Sequence, residues 1–374
     1  MTASFVGLDI GSSGIRAALV KRHRGEVEIS RAASIDLPEG SVSNGIVGDP
    51  KAVVSALKKL WRHGRFGTRR VAFALSDSGV LTRQVDLPWM PPTDFATALR
   101  YQIGDALPVD LATVELDYHL LTEIENVDDI GNPMPVNRIL VVAANRTSTE
   151  DEAHILRQAG LEPISADSSA FALIRAACRG EVPTDDRVSA IADIGADQLT
   201  VVIHQNGQPL FLRTIANLGG HTATLALAER LSMEPDLAEQ VKRETGLNGP
   251  APVVAPIAES SVFGNGGDDA PIDPRVLATV GILNPWATTI VSEIRNSLDY
   301  YQASGVSGAI TSLTLTGRTM LLDGLMERIA TQIPLPVAPM DPLMGMTASN
   351  RVQQEDLTDS RMAVAVGMAL TVRP

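Results

Sequence analysis

The sequence predicts an α/β protein built from two homologous halves, with a small α+β unit inserted into the first. Three observations support this reading. Asp9-Ile10-Gly11 and Asp193-Ile194-Gly195 each close an apolar strand, and they lie 184 residues apart. The hairpin glycines Gly25 and Gly207 keep nearly the same separation, and a repeat at fixed spacing marks a duplicated unit. Charge also divides the chain. Residues 1–74 carry 12 Lys/Arg against 6 Asp/Glu, a net of +6, whereas residues 75–165 carry 5 against 15, a net of -10. Adjacent blocks of opposite sign indicate separate surfaces.

Size and composition bound the answer further. With 374 residues, 44% hydrophobic and 20% charged, the chain has the balance of a globular protein, and its length suggests two or three domains. Only 4% of residues are aromatic, so Val, Ile, Leu, Ala and Met must build the core. A net charge of -13 argues against general nucleic-acid binding. The longest apolar run, Ala363 to Val372, is about half of the roughly 20 residues that span a bilayer, so no direct membrane insertion is expected. The start, MTASFVGLDIG, has neither a basic leader nor an apolar signal segment, and Cys178 is the single cysteine. A cytoplasmic protein with a packing thiol is the expectation.

Taken in order, Phe5 to Ile10, Ile15 to Val20 and Val27 to Leu37 read as strands, separated by a Gly11–Gly14 turn and a hairpin at Arg22 to Gly25. A helix follows from Pro50 to Trp61, with Asp49 as N-cap and Pro50 at its first position, then a strand at Arg70 to Leu75. The insert reads strand (Leu81 to Leu87), helix (Thr93 to Ala106), strand (Val114 to Glu125), strand (Asn137 to Ala144) and helix (Ser148 to Ala159). The first half's order then returns. Strands Ala190 to Ile194, Leu199 to Gln205 and Pro209 to Ala216, the last two joined by Asn206-Gly207, lead to a helix near Gly220. Strand Ile310 to Thr316, helix Met320 to Gln332, a short strand around Val337 and helix Met362 to Leu370 close the chain. The domain assignment is a first half over 1–80 that continues at 162–180 and 361–374, an insert over 81–165, and a second half over 186–360. Residues 248–274, with five prolines and no period, read as a mobile loop.

An Asp-x-Gly strand end followed by a Gly/Ser turn surrounds a concave anion site with backbone N–H groups, because glycine carries no Cβ to keep phosphate oxygens away. A carboxylate beside it suits Mg²⁺, which takes one or two carboxylates plus phosphates and waters. One such turn is usually only a turn; two in homologous halves would face each other across a cleft.

Val6-Gly-Leu-Asp-Ile-Gly-Ser-Ser-Gly-Ile-Arg16 resembles the first phosphate motif of the actin-like ATPase superfamily, and Ile191-Ala-Asp-Ile-Gly-Ala-Asp197 resembles its second. More narrowly, the chain resembles the PilM family of type IV pilus assembly, in the FtsA-like branch of the actin/Hsp70/hexokinase superfamily. Leu87-Pro-Trp-Met-Pro91, Val141-Val-Ala-Ala144, Leu218-Gly-Gly220, Ala238 to Gly246, Leu315-Thr-Gly317 and Leu322-Asp-Gly-Leu325 carry the likeness along nearly the whole chain. The resemblance implies an actin-like, ribonuclease H-like duplicated fold that binds ATP or ADP with Mg²⁺.

By the same resemblance, Asp9 and Asp193 hold Mg²⁺ and its waters, and Gly11, Ser12, Ser13 and Arg16 form the first phosphate loop. Gly195 belongs to the second loop. Gly219 and Gly220 approach phosphates at a helix N-terminus, and Glu239 and Lys242 contact ribose and base, although a solvated ion pair is the bland alternative for two residues three apart. Two positions depart from the family pattern. Arg16 stands where relatives commonly have Lys, and Gly317-Arg318 stands where the adenosine motif commonly has Gly-Gly, so Arg318 either stacks on the base or obstructs it.

Within this superfamily, fold does not settle function. The six histidines are scattered and form no metal pair, no carboxylate identifies itself as a general base, and Asp167-Ser168-Ser169 reads as a helix cap with a role in orienting water left open. The resemblance implies an ATP-binding cytoplasmic scaffold with slow or no hydrolysis. Lacking an amphipathic C-terminal helix, it would reach the inner face of the membrane through partners, docking on the cytoplasmic N-terminal tail of a PilN-like bitopic protein and on other platform proteins. Self-association stays open. The alternative is a turning-over ATPase or small-molecule kinase.

Overall fold

The computed structural model describes residues 5–23, 26–75, 80–104, 107–127, 133–178, 187–249, 273–304, 308–341, 343, 345–352 and 360–371. The expected mobile loop, apart from Asn248, Gly249, Asp273 and Pro274, lies outside them.

The first half opens with an antiparallel meander, β1 (Val6–Gly11), β2 (Gly14–His23) and β3 (Glu26–Asp36). A small hairpin, β4 (Val42–Ser43) and β5 (Ile46–Val47), precedes helix α1 (Pro50–Gly64) and strand β6 (Arg70–Leu75). Asp49 starts α1 as its residue type predicts, accepting the amides of Lys51 and Ala52 at 3.0 and 3.1 Å. The inserted unit is β7 (Val80–Pro88), α2 (Pro92–Gln102), β8 (Val114–Val127) and β9 (Pro133–Asn145), an antiparallel sheet in the order β7-β9-β8 with its own core around Phe95, Leu99, Ile139 and Val141.

Helix α3 (Arg146–Gln158) packs Ala153, Ile155 and Leu156 into the core beneath β1 and α1, so the chain has returned to the first half well before residue 165. Strand β10 (Glu162–Ser168) then pairs in parallel with β6, and α4 (Ser169–Ala177) follows, its Ser168 cap accepting the Ala170 amide at 3.1 Å.

The second half repeats the plan with β11 (Val188–Ile194), β12 (Gln198–Gln205), β13 (Gln208–Ala216) and α5 (Gly220–Leu231). Helices α6 (Pro235–Thr245) and α7 (Pro274–Ala303), strand β14 (Ile310–Thr316), helix α8 (Leu325–Gln332) and strand β15 (Val337–Pro339) complete it. Strand β16 (Thr347–Ala348) crosses back to pair with β3, and helix α9 (Ala363–Ala369) ends the fold.

Two expectations about helices need correction. The insert's helix stops at Gln102, where the Ile103 amide closes its last turn on Leu99, and Ala106 lies outside the described residues. The helix expected over Met320 to Gln332 is broken: Arg318–Leu321 forms one 3-10 turn, and a turn at Asp323 and Gly324 separates it from α8.

The sheet orders are β10-β6-β1-β2-β3-β16 and β13-β12-β11-β14-β15. Helices α4 and α9 lie between the two sheets, where Ala172, Leu173, Val364 and Met368 meet Ile191 and Val202 of the second sheet. Helices α1 and α3 cover the outer face of the first sheet, and α5, α7 and α8 cover that of the second. The small residues of α9 make this close approach possible: a Cβ on Gly367 would lie 1.8 Å from the Ala172 carbonyl oxygen. With the sheets bound through α4 and α9, the β1–β2 and β11–β12 turns open onto one cleft.

Candidate functional site

The β1–β2 turn is stiffened from within. Asp9 and Arg16 are cross-strand partners, and the buried Arg16 guanidinium lies 3.7 Å from Asp9 Oδ2. It also donates to Ser13 Oγ at 2.9 Å and to the Gly14 carbonyl at 3.2 Å. Arg16 thus braces the loop, a role that suits a forked, always-charged donor better than the point charge of lysine.

The β11–β12 turn is braced by its neighbours. The Gly195 amide donates to Gln198 O at 2.9 Å, and the Gly195 carbonyl accepts from the Gly220 amide at 3.1 Å and from Thr319 Oγ1 at 2.6 Å. The His221 amide donates to Ala196 O at 2.7 Å. The first amides of α5 are therefore spent on the second loop, and Gly219 sits behind it as the α5 cap. Gly317 has φ +90°, and a Cβ there would lie 2.4 Å from Asp193 Oδ1. Glycine alone permits both the backbone and the carboxylate at this point.

Between the loops is a cavity of about 100 Å³, lined by Asp9, Gly11, Ser12, Ser13, Arg16, Asp193, Gly195, Gly317 and Arg318 of the predicted residues, together with Ala196, Asp197 and Arg361. It continues into a larger cavity of about 560 Å³, bordered by Gly220, Glu239 and Lys242. Lys242 is buried, and its ammonium donates to Gly220 O at 2.8 Å, to Thr224 Oγ1 at 2.7 Å and to Glu239 Oε2 at 2.5 Å. Those contacts tie α6 to the start of α5, while Glu239 keeps an exposed edge on the cavity.

Sequence reasoning missed a set of contacts joining the halves. Asp197 of the second half accepts from the Asn44 amide at 2.9 Å and from the Ser12 hydroxyl. His221 donates through Nδ1 to Asp197 at 3.1 Å and through Nε2 to Glu39 at 2.7 Å. Asn44 and Asn217 pair through their side chains at 2.9 Å. The hydrogen bond to Asp197 outweighs the cost of burial and, with Glu39 on the other side, pushes the imidazole pKa up to about 9. His221 is therefore a cation at neutral pH, bridging one carboxylate from each half. Burial alone would raise the Asp197 pKa, but the hydrogen bonds from His221, Ser12 and Asn44 hold it below the usual range. No local signal marks these residues, because Glu39 and His221 are 182 positions apart.

A third cavity, of about 550 Å³, lies where the inserted sheet meets the first half. Val80, Leu116, Tyr118, Val142, Phe171 and Ile174 contribute its apolar wall, and Glu115, Asp117 and Asp167 its acidic groups. Asp167 is ion-paired with Arg175, which also lines the cavity, at 2.7 Å, and Glu115 with Arg146 at 2.6 Å. Ser169, not Asp167, borders the small cavity.

With this geometry in place, the comparisons with known proteins decide the family. The family model described as type IV pilus assembly protein PilM matches residues 7–261 and 277–373. The chain belongs to the PilM family. Among solved structures, it superposes on a chain of a PilM-PilN type IV pilus biogenesis complex with a TM-score of 0.79 at 24% identity, covering 99% of this chain and 98% of that one. It also resembles the ethanolamine utilization protein EutJ from Carboxydothermus hydrogenoformans (TM-score 0.51, 14% identity, 99% and 90% covered) and MreB5 of Spiroplasma citri bound to ADP (TM-score 0.51, 13% identity, 98% and 95% covered). The two-domain actin-like fold is thus shared across distant relatives. No helix among the described residues is long and apolar enough to cross a membrane.

Proposed function

We propose that this PilM-family protein is an ATP-binding scaffold of the pilus assembly platform at the inner face of the membrane, docking on the cytoplasmic N-terminal tail of a PilN-like membrane protein. One observation carries the nucleotide reading: two Asp-x-Gly hairpins, one from each half, line a single cavity with Asp9 and Asp193 on the same space. Two hard carboxylates beside a glycine- and serine-lined turn fit Mg²⁺ held with phosphates and waters rather than in an all-protein cage. When bound, the metal would neutralise phosphate charge. Ser12, Ser13 and Ala196 would supply donors to the phosphates, and the larger cavity would take ribose and base beside Glu239. The solved MreB5 structures with ADP and AMPPNP concern a protein of the same fold and lend the reading general support.

A scaffold needs occupancy, not turnover. Asp167, the acid the sequence left open for orienting water, is engaged by Arg175 and borders the groove instead of the small cavity, which favours slow or no hydrolysis. The groove itself, with an apolar wall and Asp117 beside the ion-paired Glu115 and Asp167, suits an extended tail whose apolar anchors fill it and whose Lys/Arg, usual just inside a membrane, meet its acidic rim.

Thermal unfolding with and without MgATP tests the nucleotide reading. Saturation at about 1,000 times Kd stabilises by roughly 4 kcal/mol, so melting should rise in wild type, and Asp9→Ala should lose most of the rise while staying folded without ligand. Equal ATP-dependent stabilisation in both would remove Asp9 from the site. For the groove, Glu115→Lys with Asp117→Lys should weaken a synthetic PilN-type tail. Removing 81–165 is a poorer test, since it would take α3 and part of β10 from the first core.

A further inference from the structure

We propose that the outer face of α1 is a lipid-contacting surface that lays the first half against an anionic bilayer; this rests on the placement at the inner face of the membrane proposed above. Between Asp49 and Asp77 the chain has seven Lys/Arg and no Asp or Glu, although its net charge is -13. The helix sorts these cations. Val53, Ala56, Leu57 and Leu60 go into the core, whereas Lys51, Ser55, Lys58, Lys59 and Arg62 stay exposed. Positions i, i+4, i+7, i+8 and i+11 share one face of a helix. Lys51, Lys58, Lys59 and Arg62 therefore form a stripe about 16 Å long.

The topology widens the stripe at one end. Helix α1 leads into β6 and α3 into β10, and β6 and β10 are parallel neighbours, so both helices end at the same pole of the first half. Arg65 and Arg69 in the connection and Arg157 in the last turn of α3 are exposed there. The acids at that pole, Glu26 and Glu162, begin strands and lie off the helical stripe.

The face suits lipid better than protein. Among the described residues it has no exposed aromatic or large apolar side chain, and Trp61 is tied inward, its Nε1 donating to the Thr68 carbonyl at 2.9 Å. Protein interfaces draw most of their energy from buried anchors of that kind. An anionic bilayer needs none, because each Lys/Arg brought to its surface contributes separately. A plane also meets one face at a time, and the acidic remainder of the chain is screened beyond roughly 8 Å. Thr149 in α3 lines the tail groove, and α3 packs beside α1 over the same core. Groove and stripe are thus one helix apart, so a tail leaving the bilayer can enter the groove while the stripe rests on lipid. A weak lipid contact suffices, since the tethered tail makes it intramolecular.

Flotation of the full chain with phosphatidylglycerol/phosphatidylethanolamine vesicles, against phosphatidylcholine vesicles, tests the face with no partner present. Wild type should bind only the anionic vesicles, and less as salt rises. At roughly a fivefold loss per cation removed from a charged surface, Lys58→Gln with Lys59→Gln and Arg62→Gln should bind about a hundredfold more weakly. Melting and binding of the synthetic tail should stay as in wild type. Arg230→Gln with Arg275→Gln, exposed arginines of the second half, should bind vesicles as wild type does. Wild-type vesicle binding by the triple variant, or an equal loss in the second-half variant, overturns the lipid face. No binding of anionic vesicles by wild type also overturns it, and retention of duplex DNA or poly-glutamate through the same three residues would then assign the face to an acidic macromolecule. The tail peptide separates the two readings: peptide bound without vesicles leaves tail docking standing, and vesicles bound without peptide leave the lipid face standing.

Discussion

Replacing Gly317 with alanine perturbs the second aspartate of the cleft through one added methyl group. At φ +90° any residue with a Cβ adopts an unfavourable conformation, costing roughly 1–2 kcal/mol. The new methyl would also lie 2.4 Å from Asp193 Oδ1, 2.5 Å from Ile194 O and 2.7 Å from Ile194 C. Two of these three atoms are backbone, so relief requires β11 itself to shift, and overpacking of this kind costs about 1–3 kcal/mol more. The expected loss is therefore about 2–5 kcal/mol. Gly67 provides the control: its φ is +75°, and nothing lies within 4 Å of a Cβ built there, so Gly67→Ala should cost only the conformational share. Equilibrium urea unfolding of both variants measures the difference. MgATP should also rescue Gly317→Ala less than Gly67→Ala, because Asp193 is the group displaced. Equal destabilisation at the two glycines would refute the argument that Gly317 is required by its contact with Asp193.

Three further perturbations have defined outcomes. His221 has its pKa raised to about 9 from an unfolded value near 6.5, so its stabilisation is complete below about pH 6.5 and lost as pH rises through 9; His221→Gln should flatten thermal stability across that window, and an unchanged pH profile would exclude the bridge. Glu152 is the opposite case: burial, with the nearby Asp9 charge, pushes its pKa up to about 8, so it destabilises as pH rises above about 4.5. Glu152→Gln should then be the more stable form at pH 8 by at least one pKa unit's worth, about 1.4 kcal/mol, with the advantage gone at pH 4. Lys242→Met leaves Glu239 and the Gly220 carbonyl without their shared donor and should cost about 2–4 kcal/mol in urea unfolding, whereas a loss under 0.5 kcal/mol would show the buried ammonium to be dispensable.

The duplicated hairpins were legible because they are local: an apolar strand, a glycine turn and a second strand occupy contiguous residues, and the repeat reports the pseudo-symmetry. Asp49 and Pro50 announced α1 for the same reason. Helix α7 was passed over, although Leu283, Trp286, Ile290, Ile294, Leu298 and Tyr301 recur at helical spacing; Pro285 reads as a breaker, and the long proline-bearing stretch before Pro274 obscures its start. The break at Asp323 and Gly324 was hidden because the flanking residues favour helix on both sides. Of the site, the glycines and aspartates of the turns and Arg318 could be named, but the bridge Glu39–His221–Asp197 and the placing of Asp36 opposite Arg318 and Arg361 could not. Their partners are separated along the chain, and an arginine or histidine on an exposed-looking segment carries no sign of what stands opposite. Lys242 shows the reverse limit: the family resemblance implied a ligand contact where spacing alone suggested an ion pair, and its three hydrogen bonds are to the protein, one of them to Glu239.

The central claim is occupancy without turnover, and one measurement addresses both parts: bound nucleotide and released phosphate quantified in the same sample, with MgATP, with and without membranes carrying a PilN-like partner. The account predicts close to one nucleotide per chain and phosphate release far slower than the 1–10³ s⁻¹ typical of enzymes, unchanged in order of magnitude by the partner. Multiple turnovers at an enzyme-like rate, or a chain that takes up no nucleotide under saturating MgATP, would contradict it.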